Sequence, residues 1–423
     1  MSFPFKVIEH TIPGQHIREY PRSIRKHLEQ ETTLHLAIKQ YIPLDLPAPV
    51  PDNAITIIGA PGNATPKEVY EPIWEDLYAD LKKKQIPLRG IWVADGTNHA
   101  ASGVLNEYLQ GDQTNWYDHS RDLLYMTNHF RDQIPRPIVG VAHSMGCAQL
   151  INLAIIHPRL LSALVLYEPV LVEEAFDAPH PVNFSSRRRD LWPSSEKAKE
   201  ALSKSFNKWD PRSLEIFLKY GLRSVPTAIY DPADPKVGPE AVTLTTSKHQ
   251  ESWSFSVLNL DSENLDRLLI PDWHNEKERP YLVSRPECWS AMRNLPYLRP
   301  DVLWVFGGKS YLSSPKEQDD KMRRTGTGTG GNGGVKAGAV EKAVLPEGEH
   351  LICFEQPGWC ASTTADWIQR WFKKWLADEK FWEEYQSRGS EDMLRISKEG
   401  LAAMKMPTMT KRGDFKFPPK GKL

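Results

Sequence analysis

Ser144 stands in the run Ile138-Val139-Gly140-Val141-Ala142-His143-Ser144-Met145-Gly146, where an apolar strand pattern passes through small residues into the helical pattern Cys147-Ala148-Gln149-Leu150-Ile151-Asn152-Leu153. A serine raised on a sharp strand-to-helix turn presents its hydroxyl as an acyl-transfer nucleophile, provided that the residues two before and two after it are small enough to clear the neighbouring backbone. Those positions hold Ala142 and Gly146; alanine at the first is a departure from the usual glycine. An oxyanion formed on attack would take one backbone N–H from Met145, at the positive end of the following helix. The second donor falls in Gly59-Ala60-Pro61-Gly62-Asn63-Ala64. Asn63 is the preferred donor, because Gly62 lets the backbone approach closely, and Ala60 is the alternative; Pro61 has no N–H.

A serine of this kind needs a histidine as base and a carboxylate to orient it. Of 13 histidines, His350 in Gly348-Glu349-His350-Leu351 lies beyond the last strand-like run and before a final helix, the place for the base. His143 is expected to point elsewhere. The carboxylate would ordinarily follow the strand-like run 302–306, near Ser310 in Gly307-Gly308-Lys309-Ser310-Tyr311, and no acid stands there. One strand earlier, Tyr167-Glu168-Pro169-Val170 follows the apolar run 163–166. Glu168 is therefore the expected acid, with Asp319 or Asp320 as alternatives.

The elements that must carry these residues are legible from periodicity. Strand-like runs at 6–10, 34–38, 54–58, 89–94, 138–141, 163–166, 302–306 and 343–345 alternate, after the first three, with helical stretches near 70–77, 117–130, 147–156, 314–324 and 360–376. That alternation predicts an α/β chain with a mostly parallel sheet covered on both faces. From 171 to 275 the rhythm breaks into a polar segment with helices near 194–207 and 212–220. The expected organisation is a core of 1–170 and 276–380, a helical cap inserted at 171–275, and a C-terminal helix and basic tail at 381–423. The segment Thr325-Gly326-Thr327-Gly328-Thr329-Gly330 follows a helix instead of a strand, so it reads as a flexible, ligand-facing loop and not as a dinucleotide fingerprint.

Composition excludes several functions. The formal net charge of −1 over 423 residues gives no field for nucleic acid or an anionic membrane surface. Cys147, Cys288, Cys353 and Cys360 have no metal-ligand or redox spacing, so neither a metal nor a cofactor is expected, and a reducing compartment is. No secretory leader and no apolar run of about 18 residues is evident, which predicts an intracellular protein that does not span a membrane. Gly421-Lys422-Leu423 is similar to the Ser-Lys-Leu address read by the peroxisomal import receptor. Peroxisomal matrix is thus the expected location, with cytoplasm as the alternative.

Taken with Pro66-Lys67-Glu68-Val69-Tyr70-Glu71-Pro72, Arg121-Asp122-Leu123-Leu124, Arg187-Arg188-Arg189-Asp190-Leu191-Trp192, Lys248-His249-Gln250-Glu251 and the Thr-Gly repeat, the elbow residues resemble those of fungal peroxisomal α/β-hydrolases of secondary metabolism. That group includes host-selective toxin hydrolases and acyl-CoA thioesterases of the mycophenolic acid type. The resemblance implies an α/β-hydrolase fold and cleavage of an acyl-CoA thioester to a free acid and CoA. It also implies a Ser144, His350 and Glu168 triad in which the family's Asp is replaced by Glu, and a homodimer. Arg187, Arg188, Lys248 and His249 are candidates for pairing with CoA phosphates, the alternative being a solvated face. Rival activities are a carboxylester hydrolase or lipase, a toxin-pathway acyltransferase, and a catalytically silent binding protein.

Overall fold

Where the chain is most continuously apolar, its strands are buried on both faces. In the computed structural model, which describes residues 3–172, 181–258, 283–387 and 393–405, eight strands form one sheet: β1 (Phe5–Pro13), β2 (His35–Pro43), β3 (Ile55–Ala60), β4 (Leu88–Ala94), β5 (Ile138–His143), β6 (Ala163–Tyr167), β7 (Asp301–Gly307) and β8 (Val340–Leu345). Their order is β1-β2-β4-β3-β5-β6-β7-β8. β2 runs antiparallel to both its neighbours, and every other pairing is parallel. Every residue of β3, β5 and β6 is buried, as expected of parallel strands covered by helices on both sides. The α/β class expected from the sequence is the fold observed.

All three parallel strands at the centre end on the same edge, and that edge receives the candidate residues. Ser144 follows β5, Glu168 follows β6, and His350 follows β8 by a short loop. The insertion lies between β6 and β7. Its described part holds the helices Val182–Ser185, Ser195–Ser205, Pro211–Tyr220 and Lys248–Phe255, together with a small antiparallel sheet of Leu191–Trp192, Val242–Leu244 and Leu222–Ser224. Strands of two or three residues are too short to show alternation, so periodicity led one to expect helices alone. The helices themselves start where side chains can cap them. Asp210 accepts from the Arg212 N–H at 2.8 Å, and Ser247 accepts from the Gln250 N–H at 3.2 Å, satisfying donors that a helix start leaves open.

The Thr-Gly segment is fastened rather than loose. Gly326, Gly328 and Asn332 donate their N–H groups to the carbonyls of Leu295, Pro296 and Leu298 at 2.7–2.9 Å. Gly326 at φ 72° and Gly330 at φ 83° supply the left-handed backbone that this path needs.

By its internal contacts the chain divides into two units, Met1–Trp367 and Ile368–Leu423, the division falling within the long helix Pro357–Gln386. The second unit contains the rest of that helix and Lys398–Met404, with Phe381, Trp382 and Tyr385 exposed. Gly421-Lys422-Leu423 lies outside the described residues. Among the described residues no helix is long and apolar enough to cross a membrane.

Candidate active site

Ser144 sits at φ 54° and ψ −116°, a conformation that L residues other than glycine rarely adopt and that costs about 1–3 kcal/mol. The helix it opens, Met145–Ile156, outweighs that cost. Leu150, Ile151 and Leu153 are fully buried, and each such side chain stabilises the fold by about 2 kcal/mol. The small flanking residues have visible reasons. A Cβ on Gly146 would meet the Ala60 carbonyl oxygen at 2.1 Å, so only glycine lets the elbow helix pass over the end of β3. Ala142 pairs in register with Ala60 on one side and Leu166 on the other and is buried, which shows that one methyl group fits two residues before the serine.

The Ser144 Oγ lies 3.0 Å from Nε2 of His350, and His350 Nδ1 lies 3.3 Å from Oε2 of Glu168. A carboxylate only accepts. His350 therefore carries its proton on Nδ1, its Nε2 is free to accept, and the serine hydroxyl donates to it. The three residues expected from sequence are thus brought into one hydrogen-bonded line. Glu168 is fully buried, and its other oxygen accepts from the Gly307 N–H at 2.5 Å and the Ser313 hydroxyl at 3.0 Å. The alternatives lie elsewhere: Asp319 is exposed and bound to Lys342, and Asp320 is bound to Arg323 and Arg324.

On the oxyanion side, Met145 is the first residue of its helix, so its N–H has no intrahelical partner. Asn63 donates its side-chain amide to the Glu251 carbonyl at 3.0 Å, while its backbone N–H has no partner among the described residues. The Gly62 N–H is already committed to the Tyr70 hydroxyl at 2.8 Å. A Cβ on Gly62 would touch Ser144 Cβ at 3.4 Å and His143 Nδ1 at 3.1 Å, so the loop lies directly against the elbow.

His143 is the residue that sequence reasoning set aside. Its Nε2 lies 3.0 Å from the His350 carbonyl and its Nδ1 lies 2.9 Å from the Tyr70 hydroxyl. Because a carbonyl only accepts, the His143 proton is on Nε2, and Tyr70 donates to Nδ1. The chain of donors Gly62 to Tyr70 to His143 to the His350 backbone joins the oxyanion loop to the base. Complete burial, and next the neighbouring His350, push the His143 pKa down to about 3, so it stays neutral; burial likewise holds Tyr70 protonated, its pKa well above the ordinary value. The signal for Tyr70 was present in the motif Pro66 to Pro72. Lys67 bonds Asp95 at 2.6 Å, Glu68 bonds Lys39 at 3.2 Å, and Glu71 accepts from Tyr41 at 3.0 Å, so that the motif is tied to β2 and the end of β4 while Tyr70 reaches the Gly62 loop.

The cationic candidates in the insertion are partly spoken for. Arg188 pairs with Glu251 at 2.8 Å and Lys248 with Asp190 at 3.2 Å. The two motifs that hold these residues are each other's ionic partners, clamping the helix Lys248–Phe255 to the segment before the small sheet. Arg187 is exposed, and His249 lines a cavity. Lys208 and Trp209 of the insertion contact Glu349 and Phe354 on either side of His350, and Tyr311 places its ring 5.9 Å from that of His350. Ser144 is only 7% exposed and the His350 side chain 19%. Among the described residues, no group of His, Cys, Asp and Glu is arranged to hold a metal.

Residues 57–363 match the family described as Alpha/beta hydrolase family. The chain is 36% identical over 439 aligned positions to a type I acyl-CoA thioesterase of Penicillium roqueforti, covering 98% of this chain and 99% of the relative. To the corresponding thioesterase of Penicillium brevicompactum it is 38% identical, covering 90% and 91%. A crystal structure of the peroxisomal alpha-beta-hydrolase Lpx1 of Saccharomyces cerevisiae superposes with a TM-score of 0.67 at 17% identity over 95% of this chain and 96% of that one, a likeness of fold.

Proposed function

The chain belongs to the alpha/beta hydrolase family and is a hydrolase enzyme, and on that premise we propose that it cleaves an acyl-CoA thioester to a free acid and CoA through Ser144, His350 and Glu168. The observation that carries the reading is the hydrogen-bonded line from Ser144 to Glu168, with links of 3.0 and 3.3 Å, in a chain whose relatives of 36–38% identity are named acyl-CoA thioesterases.

In this mechanism Ser144 Oγ attacks the thioester carbonyl as its proton passes to His350 Nε2. The imidazolium so formed is stabilised by the ionised Glu168, whose remaining oxygen is held by Gly307 and Ser313. Negative charge on the former carbonyl oxygen is taken up by the N–H groups of Met145 and Asn63. His350 then returns its proton to the departing CoA thiolate. Water enters, loses a proton to His350 and attacks the acyl-enzyme, and collapse releases the acid and restores Ser144. A glutamate is one methylene longer than aspartate, and Glu168, at φ 45°, reaches His350 Nδ1 at 3.3 Å with that longer side chain.

The natural acyl group implied by the resemblance is an aromatic meroterpenoid acid of the mycophenolic type. Free-thiol release measured over a panel of acyl-CoA substrates including mycophenolyl-CoA, set against simple esters, is expected to favour the thioesters, and to vanish in Ser144→Ala together with labelling by a fluorophosphonate. Ester cleavage without CoA release would overturn the thioesterase reading. Peroxisomal import and homodimerisation belong to the same proposal; microscopy of a tagged full chain and light scattering test them.

A further inference from the structure

Four stretches far apart in sequence, around 22–27, 107–112, 223–229 and 245–253, wall a cavity of about 770 Å3, a volume typical of small-molecule sites. Its charges are unbalanced. Arg22 is bound to Asp112 and Arg223 to Glu107, but Arg25 and Lys26 line the cavity with no carboxylate partner among the described residues. Trp253 and His249, ring centroids 6.0 Å apart, supply an aromatic side. Gln110 and Gln250 complete the wall, their side-chain amides donating to the carbonyls of Ser23 and Gly111 at 3.1 and 3.0 Å. Two cations without a carboxylate partner among the described residues, beside an aromatic wall, describe a receptor for an adenine nucleotide: phosphates for the cations and a purine face for the rings.

The cavity also shares a helix with the loop that lies against Ser144. The helix Lys248–Phe255 gives His249, Gln250 and Trp253 to the cavity, and its Glu251 carbonyl holds the side chain of Asn63 in the oxyanion loop at 3.0 Å. One helix, about 10 Å across, separates the two. Asn98 and Gln110 line this cavity and also a small one that ends on Met145.

We propose that this cavity binds the nucleotide end of the CoA thioester, with its 3′-phosphate and diphosphate on Arg25 and Lys26 and its adenine against Trp253, while the pantetheine arm passes the helix to Ser144. The assignment to CoA rests on the thioesterase reading; binding of the nucleotide itself does not. Arg188 and Lys248, each already bound to a carboxylate, are left with a structural role.

The test is calorimetric titration of the full chain with adenosine 3′,5′-bisphosphate, ADP and inorganic phosphate, alongside Arg25→Ala/Lys26→Ala, whose two positions lie at the rim and outside the apolar core. Binding of the bisphosphate more tightly than ADP or phosphate is expected, weakened about tenfold or more in the double variant. No binding, or equal binding by the variant, overturns the site, and equal affinity for ADP overturns its assignment to CoA. In kinetics, the ratio of kcat/KM for an acyl-CoA to that for the same acyl group on N-acetylcysteamine is expected to fall about tenfold in the variant. Thioester cleavage with an unchanged ratio defeats the cavity proposal alone; bisphosphate binding with no thioester cleavage defeats the thioesterase reading alone.

Discussion

Two neighbouring strands, β6 and β7, end on the same edge of the sheet and divide between them what one strand end could have supplied. β6 is followed by Glu168, whose carboxylate accepts from His350. β7 ends in Gly307-Gly308, which carries no carboxylate. A Cβ on Gly307 would meet the Gly348 carbonyl oxygen at 2.6 Å, and one on Gly308 would meet that of Pro346 at 2.5 Å. The end of β7 is thus the seat of the loop that bears His350, and it contributes the Gly307 N–H and the nearby Ser313 hydroxyl as donors to Glu168. A carboxylate and its supports can thus be shared out between two strand ends, with the donors of one and the imidazole both within 3.3 Å of the carboxylate of the other.

The division of labour is open to breakage. Replacing the charge by Glu168→Ala is expected to lower kcat by roughly 10⁴-fold and to leave three donors unpaired, whereas Asp320→Ala should stay within about twofold, since surface ion pairs contribute little. Full turnover in the first and loss in the second would reverse the assignment of the acid. Ser313→Ala removes a donor from the β7 side and nothing from the β6 side. It should cost about tenfold in kcat, the value of one hydrogen bond to a buried charge, with a much smaller change in KM; an unchanged kcat would mean that Gly307 alone suffices.

An effect smaller than at Ser313 is expected at His143, whose hydrogen bond to His350 is to the backbone carbonyl, with the two rings 5.3 Å apart. His143→Gln should lower kcat a few-fold, in line with the loss of a neutral hydrogen bond of about 1 kcal/mol. A second readout is pH. The folded-state pKa of His143 is about 3 against roughly 6.5 for an unfolded histidine, so the unfolded chain takes up the proton first as pH falls. The stability tied to neutral His143 is complete above about pH 6.5 and lost on descent toward pH 3. The stability gap between the native protein and His143→Gln, followed by denaturant unfolding, should therefore narrow on acidification; a constant gap would show that His143 is not held neutral by burial.

Much of the sheet was legible because buried parallel strands must be continuously apolar, and the runs at 54–58, 138–141, 163–166 and 302–306 are all strands in the structure. Ser144 and Glu168 could be proposed from sequence because each comes within three residues of such a run, and His350 because it follows the last strand-like run, 343–345, by a short loop. Other features depend on tertiary distance alone. Tyr70 and His143 meet across 73 residues, the cavity gathers residues from 22 to 253, and neither meeting leaves a periodic trace. The ion pairs of the cationic motifs were not legible for a related reason: Arg188 and Lys248 find their partners, Glu251 and Asp190, in each other's motif, some sixty residues away in sequence.

One consequence of the elbow concerns breeding the protein rather than its chemistry. Glycine at position 144 would accept φ 54° without penalty and release stored strain of about 1–3 kcal/mol, so a library sorted for heat resistance alone would drift toward losing the nucleophile. Thermal endurance and turnover pull apart at this one position, and only a screen that demands both would keep the serine.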